Sequence, residues 1–366
     1  MSVLVRVRDG VAHVSPGRLE ATDPPFLTAV VEAAGGLLLT DATVDATVEA
    51  DVREIRVPDA VIDDVDAAGA WLADLYGPEV ADAVRQGAET SPEWTGPGDA
   101  GIADAVHRLG QLTWARAWWP AGARIPAVDP SLLAAEIAVT SDLLSHLLDD
   151  DEAVERALRD AADIRSALAA LPSALAAEGA QLAAALHDLA DDLGVELLPA
   201  RENREDWALA AGGTGPVADR PGIEVASGTA PVRWADVPAQ TVDAEGLARW
   251  SLRQSDGSLM LQIEVPAVDA DFAARALRAR FGPADSDIDV ALERQGGRFR
   301  GETAVAASVA FLPAGERMLW VRDPALASSP GEPDSGSDRE RVLRHASARW
   351  GAPGASFAER VAGAVR

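Results

Sequence analysis

Residues 248–265 read ARWSLRQSDGSLMLQIEV, in which Ala248, Trp250 and Leu252 alternate with polar residues, and Leu259, Leu261, Ile263 and Val265 alternate again beyond Ser255-Asp256-Gly257-Ser258. A period of two puts successive side chains on opposite faces of an extended chain, and a short Asp-Gly connection between two such runs is a strong local signal for a hairpin. The stretch therefore predicts two antiparallel strands with one buried face. Further along, Ile288 to Glu293 and Phe299 to Val305 flank Gln295-Gly296-Gly297 and predict a second hairpin. Strands are also predicted at Val232–Val237, Ala276–Phe281, Ala307–Phe311 and Met318–Val321. About seven strands at regular spacing predict an antiparallel β-sandwich of immunoglobulin-like type over residues 223–327. That expectation rests on spacing, since the chain has no cysteine from which to build the Cys-Trp-Cys signature of a true immunoglobulin domain.

Toward lower numbers the period changes to that of a helix. Gly101 to Trp119 reads as one helix stopped by Pro120, and Asp129 with Pro130 opens another that runs to about Asp150. Glu152–Leu171 and Ser173–Leu193 follow, parted at Pro172 and ended by Gly194. Leu168, Leu175, Leu182 and Leu189 recur every seven residues, which predicts a packed helical bundle over residues 101–195 and a seam at residues 164–193 through which two copies would associate. Residues 1–90 read as a small α+β unit. It opens with a hairpin around Asp9-Gly10, continues with a helix Phe26–Ala34 closed by Gly35-Gly36, then strands at Leu37–Thr40 and Val48–Val57, a helix Asp59–Gly77 and a shorter one from Pro78. Gly212–Gly222 is a predicted linker, and residues 328–366 a polar linker and short helical tail. The whole is thus expected to be a multidomain α+β chain.

Composition narrows the chemistry. There is no lysine and no cysteine, so a Schiff base, a Walker-type phosphate loop and a thiolate nucleophile are all excluded. The 32 basic residues are arginines set against 59 acidic ones, a net charge of −27. Abundant alanine, glycine and arginine beside absent lysine points to a GC-rich bacterial genome, and salt adaptation is the other route to such a surface. The charge is uneven: residues 1–230 carry 40 Asp and Glu against 15 Arg, whereas residues 231–366 carry 19 against 17. The acidic part repels nucleic acid, so no nucleic-acid partner is expected. Arg275, Arg278, Arg280, Arg294, Arg298 and Arg300 form a basic strip whose simplest use is pairing with Glu293 and Glu302. The longest apolar stretch, Ser131–Leu148, is broken by Glu136 and Asp142, so no membrane span is expected, and the absence of a signal-peptide core predicts a cytoplasmic protein.

Candidate sites are few. His146 is followed by Asp149, Asp150 and Asp151, and His187 by Asp188 and Asp191; if their helices lie side by side, His146, Asp150, His187 and Asp191 would converge on a divalent metal with nitrogen and oxygen ligands, or act as catalytic groups. Trp114, Trp118 and Trp119 form an aromatic cluster suited to a partner-binding face or to a core ridge. The leading expectation is a non-enzymatic binding or scaffolding subunit of a bacterial multi-protein system. It needs no cofactor and engages another protein or peptide, preferably a basic one. A metal-dependent enzyme built on those His and Asp residues is the second reading. The third is a peptide-recognition component of a peptide-modifying or secretion gene cluster, capturing an extended peptide on an edge strand.

Overall fold

The computed structural model describes residues 3–15, 25–43, 57–87, 89–92, 94, 96–148, 151–197, 222–255, 257–268, 276–283, 286, 288–326, 331, 333–352 and 354–364. The predicted strand Val48–Val57 lies outside them but for its last residue, as do most of the linker 212–222, Arg275 and the candidate Asp150. Nine helices and two antiparallel sheets make up the described residues, a mixed α+β content. No helix among them is long and apolar enough to cross a membrane. The chain divides into two compact units, one formed by Met1–Trp119, Val128–Pro199 and Glu340–Arg366, the other by Pro120–Ala127 and Ala200–Arg339.

In the first unit, β1 (Leu4–Arg8) and β2 (Val11–Ser15) are joined by Asp9 and Gly10, both at positive φ (52° and 85°), the backbone that a tight two-residue turn demands. Val5, Ala12 and Val14 are buried on one face of the pair. β3 (Thr28–Ala33), β4 (Gly36–Asp41) and β5 (Asp59–Ile62) complete a five-stranded sheet in the order β1-β2-β5-β4-β3. This corrects the helix expected at Phe26–Ala34. The run alternates, with Ala29, Val31 and Ala33 buried and Val30 and Glu32 exposed, and Gly35 at φ 73° turns a hairpin rather than capping a helix. A Cβ on Gly35 would sit 2.1 Å from the Asp64 carbonyl oxygen, so only glycine allows that approach. Asp59–Ile62, expected to be helical, is likewise strand, because the helix begins only where the Asp64 side chain accepts from the amides of Asp66 and Ala67.

That capped helix is α1 (Val65–Tyr76), followed by α2 (Pro78–Arg85), α3 (Ala100–Trp118), α4 (Pro130–Leu143), α5 (Asp151–Asp160), α6 (Ile164–Ala169) and α7 (Ala176–Asp192). α3 lies on β3 and β4, where Gly110 lets the helix approach Thr40 and Ala29 closely. α4 starts at the predicted cap, Asp129, which accepts from the amides of Ser131 and Leu132, but it ends at Leu143, short of Asp150. The expected helix 152–171 is two helices, parted by a turn at residues 161–163. α4 packs against α3, α5 and α7 and is buried almost all round, as its apolar run requires.

Two later helices, α8 (Gly336–Arg349) and α9 (Phe357–Ala364), complete the described helices, and the division between the units falls within α8. α9 docks on α4 through Glu136, which is 1% exposed. The two Glu136 carboxylate oxygens accept from the backbone amides of Phe357 and Ala358, each at 2.9 Å, and Oε1 also accepts from Arg108 at 2.9 Å. A side chain on one helix thereby satisfies the first-turn amides of another. Arg349 and Glu359 form a buried bidentate pair beside it, and Arg360 grips Glu178 of α7 with two hydrogen bonds.

The second unit holds one seven-stranded antiparallel sheet. Its strands are β6 (Ile223–Pro231), β7 (Leu247–Ser255), β8 (Ser258–Pro266), β9 (Leu277–Phe281), β10 (Asp289–Gln295), β11 (Arg298–Val305) and β12 (Leu319–Arg322), in the order β12-β9-β10-β11-β8-β7-β6. Both predicted hairpins are present, with Ser255 opposite Ser258 and Gln295 opposite Arg298. Where spacing suggested two packed sheets, the strands are hydrogen-bonded as one sheet that curls. β10 makes the bend: Asp289–Leu292 pair with β9, then Glu293–Gln295 pair with β11. Gly301 of β11 permits it, because a Cβ there would lie 2.2 Å from the Ala291 carbonyl oxygen. β12 returns close to β6 and β7 without hydrogen-bonding to either. Trp250, Leu252, Leu261, Ile263, Phe281, Leu292 and Phe299 fill the core. The segments expected as strands at Val232–Val237 and Ala307–Phe311 are short 3-10 turns at Trp234–Asp236 and Ala307–Phe311. Val309 turns into the core there, while Phe311 stands 84% exposed.

Candidate functional site

Gly194 ends α7 at φ 65°, a left-handed conformation that glycine adopts without penalty. The Val195 amide donates to the Ala190 carbonyl at 2.8 Å and the Gly194 amide to Asp191 at 3.2 Å, the paired bonds of a Schellman C-cap. The cap turns the chain, so Val195 and Leu197 join residues of α6 and α7 in lining one groove. The groove encloses about 680 Å³. Its floor is apolar, built from Ile164, Leu168, Leu186, Ala190, Val195 and Leu197, with Leu186 and Ala190 fully buried beneath it. Arg165, His187, Asp191 and Glu196 supply the polar part of its lining.

Two of the residues singled out from sequence meet at this groove. His187 Nε2 stands 3.6 Å from Asp191 Oδ2, one helical turn away, and both side chains are more than 70% exposed. His146 is elsewhere, with its Nε2 4.0 Å from Asp74 Oδ2. Each imidazole therefore has one carboxylate beyond hydrogen-bonding distance, and the two carboxylates come from different helices. Among the described residues no three His, Cys, Asp or Glu side chains are grouped so as to hold a metal ion. α4 and α7 do pack together, but α4 stops at Leu143, which leaves His146 in the turn after it rather than on the helix.

The tryptophans are placed differently from a docking platform. Trp114 and Trp119 are 2% and 1% exposed, with ring centroids 6.3 Å apart in an edge-on arrangement. Trp114 Nε1 donates to the Phe26 carbonyl at 2.8 Å, and the His345 ring meets Trp114 edge-on at 5.4 Å. Trp118 is half-buried against Phe26. These contacts tie α3 to the segment that leads into β3.

Four members of the basic strip, Arg278, Arg294, Arg298 and Arg300, are engaged by neighbours. Arg298 and Arg300 both bind Glu264 of β8 rather than Glu293 or Glu302, because the register sets Arg300 opposite Glu264. Arg278 binds Asp289, and Arg294 donates to the Val268 carbonyl. Two carboxyl groups near the helical unit's framework titrate unusually. Burial raises Asp129 above the ordinary aspartate range, against the two amide hydrogen bonds that lower it, and nearby Asp163 adds to the rise. The Arg360 hydrogen bonds hold Glu178 below its ordinary value.

The groove itself has a partial signal in the sequence: Gly194 reads as a helix terminus, and residues 164–193 as an apolar seam. What period alone does not show is the place of Val195 and Leu197 in its lining, which depends on the C-cap geometry. Comparison with protein-family models, with curated proteins and with solved structures finds no match to this chain.

Proposed function

We propose that this protein is a non-enzymatic binding subunit whose helical unit receives an amphipathic, basic helical segment of a partner protein in the α6–α7 groove. The observation that carries the reading is the groove's apolar floor beside a rim in which Asp191 and Glu196 outnumber Arg165. An apolar helix face recognised at i, i+3/i+4 and i+7 positions suits such a trough. Asp188 and Asp192, both exposed on the same helix, add negative charge outside the groove, a field that favours approach of a cationic partner. Three apolar anchors contribute roughly 5–9 kcal/mol gross, association costs remove much of this, and a weak affinity is expected, near millimolar at about 4 kcal/mol net.

The probe is a fluorescent model helix of leucine and lysine with one apolar face, compared with a peptide of identical composition whose leucines are scattered around the helix. Wild-type protein is expected to bind the amphipathic peptide at least tenfold more tightly. Leu168→Glu, at a half-buried floor position, and the rim pair Asp191→Arg with Glu196→Arg are expected to remove that preference. Equal binding of both peptides would show net charge alone at work and would end the reading.

A further inference from the structure

The outer face of β9 and β12 holds a second candidate surface, on the other unit and of opposite polarity. Val321, Ala279 and Phe281 point into the core, so the alternate residues Trp320, Arg322, Arg278 and Arg280 share the outward face. Trp320 lies directly opposite Arg280, and Arg322 opposite Arg278. The guanidinium carbon of Arg280 stands 4.9 Å from the Trp320 ring centroid, and that of Arg322 5.2 Å. The indole is held in place, because its Nε1 donates at 2.8 Å to Asp236, a fully buried carboxylate.

Arg278 is neutralised by Asp289. Arg280 and Arg322 have no ion pair among the described residues, although the chain carries 59 acidic side chains and Arg278, Arg294, Arg298 and Arg300 of the same sheet are matched to Asp289, Glu264 or a backbone carbonyl. Like charges gathered on one ring repel each other, and stacking on an aromatic face offsets only part of that. A guanidinium lying against a ring keeps its in-plane N–H donors available, in a fork that matches a carboxylate. The strands hold these donors on a rigid sheet rather than a loop.

We infer that Arg280, Trp320 and Arg322 form a docking site for an acidic, extended peptide segment of a partner protein, two of whose carboxylates engage the two guanidinium groups. Acidic side chains two residues apart on an extended strand lie on one face at about 7 Å, comparable to the roughly 7–8 Å of a diagonal cross-strand pair such as Arg280 and Arg322. The complementarity is of charge and of spacing. It is independent of the helical groove.

The experiment uses the full chain at ~0.1 M salt, where screening over about 10 Å suppresses the field of the acidic residues elsewhere in the chain. A labelled peptide of alternating glutamate and serine is titrated by fluorescence anisotropy beside its glutamine counterpart, with inorganic phosphate as competitor. Expected is at least tenfold tighter binding of the glutamate peptide, with a further tenfold or greater loss in Arg280→Gln with Arg322→Gln. Circular dichroism and the urea midpoint report whether that variant is folded, and Arg280→Lys with Arg322→Lys provides a second variant that keeps the charge but not the fork. Unchanged binding in a folded glutamine variant overturns the proposal and makes the cluster a structural ladder. So does displacement by phosphate at micromolar concentration, which would mark a small-anion site.

Discussion

Replacing Glu136 tests the docking of α9 most directly. The carboxylate is 1% exposed and accepts three hydrogen bonds, two from the first-turn amides Phe357 and Ala358 and one from Arg108. In Glu136→Leu the volume is nearly kept, but the two amides lose their acceptor in a buried place, at about 1–3 kcal/mol for each unsatisfied donor. The Arg108 side chain is 59% exposed and returns to water, so it adds little. A loss of roughly 2–6 kcal/mol follows for the two donors, comparable to breaking a buried charge pair. Glu136→Gln retains one acceptor oxygen but aims an NH₂ group at a donor, and about half that loss is expected. Equilibrium urea unfolding gives the global figure, and native-state hydrogen exchange at Phe357 and Ala358 shows whether α9 opens by itself. If Glu136→Leu is as stable as wild type and exchange at those two amides is unchanged, the carboxylate does not hold α9 and the reasoning fails.

Asp129 and Glu178 should impose pH dependences of opposite sign. Burial raises the native pKa of Asp129, so the native state binds its proton more readily than the unfolded chain; stability falls as pH rises from the ordinary aspartate range through the raised native value. Asp129→Asn keeps the helix cap and should remove that slope in pH-dependent urea midpoints, leaving neutral-pH stability equal or higher. Arg360 lowers the native pKa of Glu178, so its contribution is present above the ordinary glutamate value and lost as pH falls through the lowered one; Glu178→Gln should flatten the acid limb. Gly301→Ala forces a Cβ to within 2.2 Å of the Ala291 carbonyl and should cost about 1–3 kcal/mol by overpacking, seen as a lowered Tm.

Elements with a complete local signal are legible in the sequence. Alternation around Asp9-Gly10 and around Gly257 specifies hairpins, and Asp129-Pro130 specifies a helix start, because each needs only neighbours in the chain. Phe26–Ala34 reads wrongly as helix because a short apolar run before Gly35-Gly36 fits both a capped helix and a strand entering a turn. Its burial in the sheet, with Asp64 of a later segment closing over Gly35, decides between them. The bend at Gly301 has no local signal for a similar reason, since its cause is the passage of β10 over it. At the sites, the His187–Asp191 pair follows from helical spacing, whereas the place of Val195 and Leu197 in the lining of its groove depends on the cap at Gly194. Arg280 and Trp320 lie far apart in sequence and meet only through the pairing of β9 with β12, which no local pattern announces.

Residues 200–339 interrupt the first unit, and the chain rejoins it only from Glu340 onward. During synthesis the curled sheet is therefore fully translated before α9 exists, while α4 already carries Glu136 without the amides that neutralise its burial. The helical unit is left open until α9 arrives. A chain ended within residues 340–356 would carry a finished β unit and a helical unit in which the Glu136 carboxylate lies on an otherwise apolar surface without its two amide donors.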